Sequence, residues 1–161
     1  MYVNDAYELI EAIQEEIHEN TSRDYANGLA GIGCGLEYLA QQKYIDIHTD
    51  EVLQEIDSHI FHTIIFREYV DTSLHTGLIG LGRYLLFRLS NPESYPQNVN
   101  TLTNRMLIIH IVDKLEQLLL SGTEKTNELY QFLLQIDQRG YYPFKVKKID
   151  NLFPGKGIHK K

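Results

Sequence analysis

Asn27-Gly28-Leu29-Ala30-Gly31-Ile32-Gly33-Cys34-Gly35-Leu36 returns 49 positions later as Thr76-Gly77-Leu78-Ile79-Gly80-Leu81-Gly82-Arg83-Tyr84-Leu85. Three glycines, two apolar pairs and a polar residue suited to helix capping keep register. A repeat of this period marks one structural unit used more than once. Glycine inside a helix costs about 1 kcal/mol relative to alanine. Gly28, Gly31, Gly77 and Gly80 therefore imply a compensating gain. Two gains are open: close approach of backbone to a neighbouring helix, or exposed N–H groups at a helix start that face an anionic ligand.

Around the repeat the apolar spacing is helical. Residues 4–19 form an amphipathic pattern with Tyr7, Ile10 and Ile17 on one face and Glu8, Glu11, Glu15 and Glu19 on the other. Asn27 and Thr76 are placed to cap the two repeated helices, which run to about Gln42 and Leu89. Val52, Ile56, Ile60 and Ile64 phase a helix over 50–65, and Asn91-Pro92-Glu93-Ser94-Tyr95-Pro96 is a breaker. A fifth helix spans about Leu102 to Leu120, with Leu102, Met106, Ile109, Val112 or Ile111, Leu115 and Leu119 spaced for one broad buried face. Ser121 and Glu124 have capping-box spacing for a sixth helix, carrying Leu129, Phe132, Leu133 and Ile136 and ending near Gly140. No segment alternates like a strand. The reading is all-α, about six helices built as α/α hairpins over 1–140, followed by a basic tail over 141–161 that contains proline and glycine.

At 161 residues and a net charge of −7 the chain fits one domain. The tail holds six lysines against Asp150, leaving the body at −12. The net charge argues against nucleic acid as the main partner, while the basic tail suits a phosphate backbone or an acidic partner, or is simply solvated or docked on the acidic body. No apolar run reaches the roughly 18–20 residues of a membrane span. Met1-Tyr2-Val3-Asn4-Asp5 does not open a signal peptide, and one cysteine allows no internal disulfide, so the expected location is the cytoplasm.

The glycine spacing is neither G-x-G-x-x-G after a strand nor a phosphate-binding G-x-x-x-x-G-K-[ST] loop. Instead, Gly28-Leu29-Ala30-Gly31-Ile32-Gly33 and Gly77-Leu78-Ile79-Gly80-Leu81-Gly82, the second approached through Ser73-Leu74-His75-Thr76, resemble the glycine-led helix openings of the lanthionine synthetase C-like family. The resemblance covers roughly residues 20–90. It implies an α/α toroid with inner and outer rings of helices. It also implies, in the cyclase members, a zinc ion held by two cysteines and a histidine that activates a peptide thiol for thioether formation. The chain departs from that pattern. Cys34 is its only cysteine and lies within the glycine element, Cys-His-Gly does not occur, and about three hairpins do not close a ring. No zinc ligand carries over, so no cofactor is expected. An incomplete toroid-like arc leaves apolar edges that a homo-oligomer would cover.

Other residues bear on chemistry. Glu55, His59 and His62 share one helical face and, with Cys34, are the weak metal candidates; two ordinary surface histidines give the same spacing. Asp71 and His75 are close enough in sequence to pair as an oriented imidazole or as a simple loop contact. His110 lies among isoleucines, as a core-edge histidine would. Tyr38, Tyr84, Tyr141 and Tyr142 are candidates for a peptide-binding groove. The expected function is a non-catalytic scaffold that binds a peptide or protein partner in peptide modification. Two alternatives stand beside it: a cyclase-type enzyme with an unorthodox metal site, and a truncated subunit completed by another chain.

Overall fold

Glycine at a helix entry lets a loop lie against the helix, and that contact organises the chain. In the computed structural model, residues 2–18, 20–68, 71–90 and 99–153 are described, with side chains omitted for residues 2–6, Leu9 and Gln14. The breaker at 91–96, Glu19 and the tail beyond Phe153 lie outside the described residues. Among these the structure is all-helical: α1 (Tyr2–Glu16), α2 (Leu29–Gln41), α3 (Thr49–Val52), α4 (Gln54–Phe66), α5 (Leu78–Arg88), α6 (Val99–Leu120), α7 (Asn127–Gln138) and α8 (Pro143–Asp150). Helix α2 packs on α5, α5 on α7, and α4 on α6. Leu29, Ile60, Leu78, Ile108, Leu129 and Phe132, each fully buried, join these layers in one core.

The repeat is visible as geometry. A Cβ on Gly28 would collide with the Ser22 carbonyl and sit 2.8 Å from the Asp24 nitrogen; one on Gly77 would sit 2.5 Å from the Asp71 oxygen and 2.6 Å from the Ser73 nitrogen. Gly31 and Gly80 face the carbonyls of Tyr25 and Leu74 in the same way. The close neighbour at these positions is the helix's own entry loop, not another helix, and a Cβ on Gly80 would also meet Tyr25 of the α2 entry loop at 2.7 Å. Gly33 and Gly82 do meet other helices. Gly33 hosts the ring of Tyr84 from α5, and Gly82 hosts the ring of Phe132 from α7. The period outlasts the glycines, since α2, α5 and α7 begin at Leu29, Leu78 and Asn127, each 49 positions after the last.

Several local expectations change. The helix expected over 50–65 divides at the buried Leu53 (φ −94°, ψ 5°) into α3 and α4. The caps of α2 and α5 are Gly28 and Gly77, without a side-chain cap bond, rather than Asn27 and Thr76. The loop supplies the missing acceptor: the N–H of Leu29 donates to Ser22 O (2.8 Å) and that of Leu78 to Asp71 O (3.1 Å). Helix α7 is capped by Thr126, whose hydroxyl accepts from the Leu129 N–H, and not by a Ser121 box.

On α6, Leu102, Met106 and Ile109 are exposed, while Leu107, Ile108, Ile111, Val112, Leu115 and Leu119 are buried. The helix is apolar on most of its circumference, so spacing permits two stripes. Contact with α4, α5 and α8 selects one. The first part of the expected tail folds as α8, led by Pro143 at its first turn and buried through Val146 and Ile149. Its lysines meet the acidic body: Lys145 pairs with Asp113 (3.0 Å) and Glu116, and Lys148 with Glu116 (3.0 Å).

Gly31→Ala and Gly80→Ala force backbone apart and should each cost about 2 kcal/mol or more. Gly35 has open space around its Cβ position, so Gly35→Ala should stabilise by about 0.5–1 kcal/mol. Thermal denaturation of the three variants checks the opposite signs.

Candidate functional site

The two entry loops carry the polar residues nearest the repeated glycines. In the first, Asp24 accepts from the Asn27 N–H (2.7 Å) and the Ser22 hydroxyl (2.7 Å). In the second, Asp71 accepts from the Ser73 N–H (2.8 Å), the Ser73 hydroxyl (3.0 Å) and the Thr76 hydroxyl (2.6 Å). Ser-x-Asp in one copy has become Asp-x-Ser in the other, and the loop holds its shape either way. Burial pushes the Asp71 carboxyl up, but the hydrogen bonds from Thr76 and Ser73 more than offset this and leave its pKa below the usual 3.8. The His75 side chain is exposed. Its carbonyl accepts from the N–H groups of Tyr25 (3.0 Å) and Ala26 (3.1 Å), tying the two loops together. Asp71 is thus used within its own loop, and His75 contributes a backbone contact.

Sequence reasoning missed the largest polar cluster. Arg88, 2% exposed, reaches four residues on α2, α3 and α4. Its Nη1 donates to Glu37 Oε2 (2.8 Å) and Thr49 Oγ1 (3.2 Å). Its Nη2 donates to Asp50 Oδ1 (2.8 Å) and Asp57 Oδ2 (2.8 Å), and its Nε to Asp57 Oδ1 (3.2 Å). Tyr84 donates its hydroxyl to Asp57 (2.6 Å), and burial and the Asp57 charge hold that phenol well above its usual pKa. The available signal was an arginine inside the apolar run Leu85-Leu86-Phe87-Arg88-Leu89. Tyr84 is therefore a packed clamp residue, whereas Tyr38 is 49% exposed on α2.

The metal candidates are held in other ways. Cys34 is buried, and burial followed by the Glu37 charge pushes its thiol up to about 12. His59 Nε2 lies 3.8 Å from Glu55 Oε1, and His62 stacks on Phe66 with ring centroids 5.6 Å apart. Among the described residues no group of three or more His, Cys, Asp or Glu side chains is placed to hold a metal. His110 is partly buried, and burial lowers its pKa. Tyr141 lies beneath the Arg105 guanidinium (5.9 Å), and Tyr142 adopts a left-handed backbone ahead of α8.

An open cleft of about 410 Å³ is lined by His59, His62 and Phe66, and a less open one of about 320 Å³ lies where the carboxyl ends of α2, α5 and α7 converge. Gln41, Arg83, Ser90, Gln135, Gln138 and Arg139 give it a polar lining, with Leu86 and Phe87 between them. Its volume is at the small end of ordinary ligand sites. Side-chain amides and guanidinium groups on such a wall can hold carbonyl and carboxylate oxygens.

Arg88→Met leaves Glu37, fully buried, without its cation and should cost about 3–5 kcal/mol. Chemical denaturation measures it. A carboxyl whose folded pKa is depressed stabilises above its unfolded value and loses that contribution as pH falls through the folded value. The gap in stability between wild type and Asp71→Asn should therefore be widest near neutrality and close below about pH 4, as urea titrations across pH would record. Cys34 should resist iodoacetamide at pH 7.5 in the folded chain and react once the chain is denatured, read by mass spectrometry. No family model, curated protein or solved structure matches the chain.

Proposed function

We propose that this chain is a lanthionine synthetase C-like helical scaffold that binds a peptide or protein partner in peptide modification and carries out no zinc chemistry of its own. The observation that carries this reading is the cleft at the carboxyl ends of α2, α5 and α7. It is lined by three glutamines and two arginines, groups that pair with the amides and carboxylates of an extended chain. The glycine-led helix openings support the family likeness. The burial of the Cys34 side chain in the core weighs against its use as a nucleophile open to a substrate.

Selection of a displayed peptide library on the immobilised full chain should converge on one motif, and Gln135→Ala with Gln138→Ala should weaken the selected peptide at least roughly fivefold, about 1 kcal/mol. Failure to converge overturns the peptide-binding reading. Metal analysis of protein purified without added zinc tests the other half. A stoichiometric metal lost on Cys34→Ala would replace this reading with a cyclase-type enzyme.

A specific feature favours assembly with a further chain. Val99, Leu102, Met106 and Ile109, at spacings of three and four, form an exposed apolar stripe along α6, between 39% and 74% exposed. We propose that a second copy covers it, giving a cytoplasmic homo-oligomer. Light scattering at micromolar concentration should report a dimer or larger species that Leu102→Asp with Met106→Asp returns to monomer. A wild-type monomer sinks the homo-oligomer, and a species formed only on co-expression with another chain assigns the stripe to a different subunit.

A further inference from the structure

The donors around the cleft are unequally occupied. Arg139 Nη1 donates to Leu86 O (3.0 Å) and Ser90 Oγ (2.6 Å), and Ser90 Oγ also donates to Leu86 O (2.6 Å). Gln41 Nε2 donates to Phe87 O (3.2 Å) and Glu37 Oε1 (3.1 Å). These bonds are spent on carbonyls in the last turn of α5, whose partial negative charge would otherwise repel an anion. Glu37, the nearby carboxylate, is itself committed to Arg88.

Arg83 is different. It sits on α5 one turn before those carbonyls and is only partly buried. Its Nε is closed off from solvent and has no acceptor among the described residues, and no carboxylate there pairs with its guanidinium. A cationic donor without an acceptor costs free energy, and because Arg83 lines the cleft, a turn of its side chain toward that cleft would let a ligand oxygen supply the missing acceptor. In a chain of net charge −7, a cation facing a cleft without a carboxylate partner stands out. Gln135 and Gln138 line the same cleft from α7, with amide groups suited to a peptide unit.

We infer that this cleft binds a carboxylate of the partner peptide, either an acidic side chain or a free carboxyl terminus, with Arg83 as the bidentate donor and the Gln135 and Gln138 amides holding the adjoining peptide group. The inference rests on the peptide-binding reading and adds the ligand's charge. A guanidinium fork matches a planar carboxylate with two parallel N–H bonds. The small cleft volume fits one or two residues.

The test uses the full chain labelled with ¹⁵N. N-acetylglutamate N-methylamide, which has only a side-chain carboxylate, and N-acetylglycine, which has only a terminal one, are titrated separately, with inorganic phosphate as a third arm. One carboxylate probe should shift the Arg83 Nε–H signal saturably, and its identity decides between the two sources. Arg83→Gln should weaken binding at least roughly tenfold, while Arg83→Lys keeps part of it. The wild-type signal gives the answer even where a variant fails to fold. An unmoved Arg83 signal with both probes, unchanged affinity in Arg83→Gln, or saturation by phosphate alone overturns the inference. A library-selected peptide that binds Arg83→Gln as tightly as wild type overturns this inference and leaves peptide binding standing. Carboxylate binding without any convergent peptide does the reverse.

Discussion

The carbonyl oxygens of Tyr25 and Leu74 lie in space that any side chain on Gly31 or Gly80 would occupy. Helix and entry loop can come this close only where the Cβ is absent, and the rest of the chain follows from that contact. With the loops pressed down, the His75 carbonyl reaches the Tyr25 and Ala26 amides, which brings α2 and α5 side by side. Gly33 can then receive Tyr84, and Tyr84 in turn carries its hydroxyl to Asp57. The Arg88 clamp closes over the same region and draws in α3 and α4 through Thr49, Asp50 and Asp57. Burying one guanidinium among three carboxylates is costly in isolation. Here each Arg88 nitrogen has an oxygen, and the pairing fixes which helices meet.

The all-helical class was legible because apolar residues recur with helical period through α2, α4, α5 and α7, and because the 49-residue repeat aligned two of them. The glycines signalled close approach, but sequence could not say to what, since a loop carbonyl and a neighbouring helix make the same demand. Helix α6 was legible as a helix, and its expected face is buried at Ile111, Val112, Leu115 and Leu119, whereas Leu102, Met106 and Ile109 are exposed because the early turns offer an apolar residue to both sides. The α8 segment was hidden by its lysines. Their charge reads as a solvated tail or one that docks on the acidic body, and Asp113 and Glu116 of α6 receive it.

The site was less legible than the fold. Asp71, His75 and Tyr84 were noticed for plausible chemistry, and each is engaged in holding the structure. Arg83 and Arg88 occupy one helix five positions apart. One is saturated by carboxylates and the other faces a cleft, a difference set by neighbours on α2, α3, α4 and α7 that no local pattern encodes. Gln135 and Gln138 carry no motif and acquire meaning only from the convergence of three helix ends.

The ring-and-hollow contacts give the stack a direction. Gly33 receives an aromatic from α5 and Gly82 one from α7, so each unit is a socket for the one after it. At the matching position α7 carries Gln131, an exposed side chain where α2 and α5 have glycine. Docking by this contact therefore has a grammar with a stop: a further unit could plug its ring into α2 or α5 only by displacing the present one, and α7 offers it no socket. Growth of the array in that direction would require a glycine at 131 before it required a new helix.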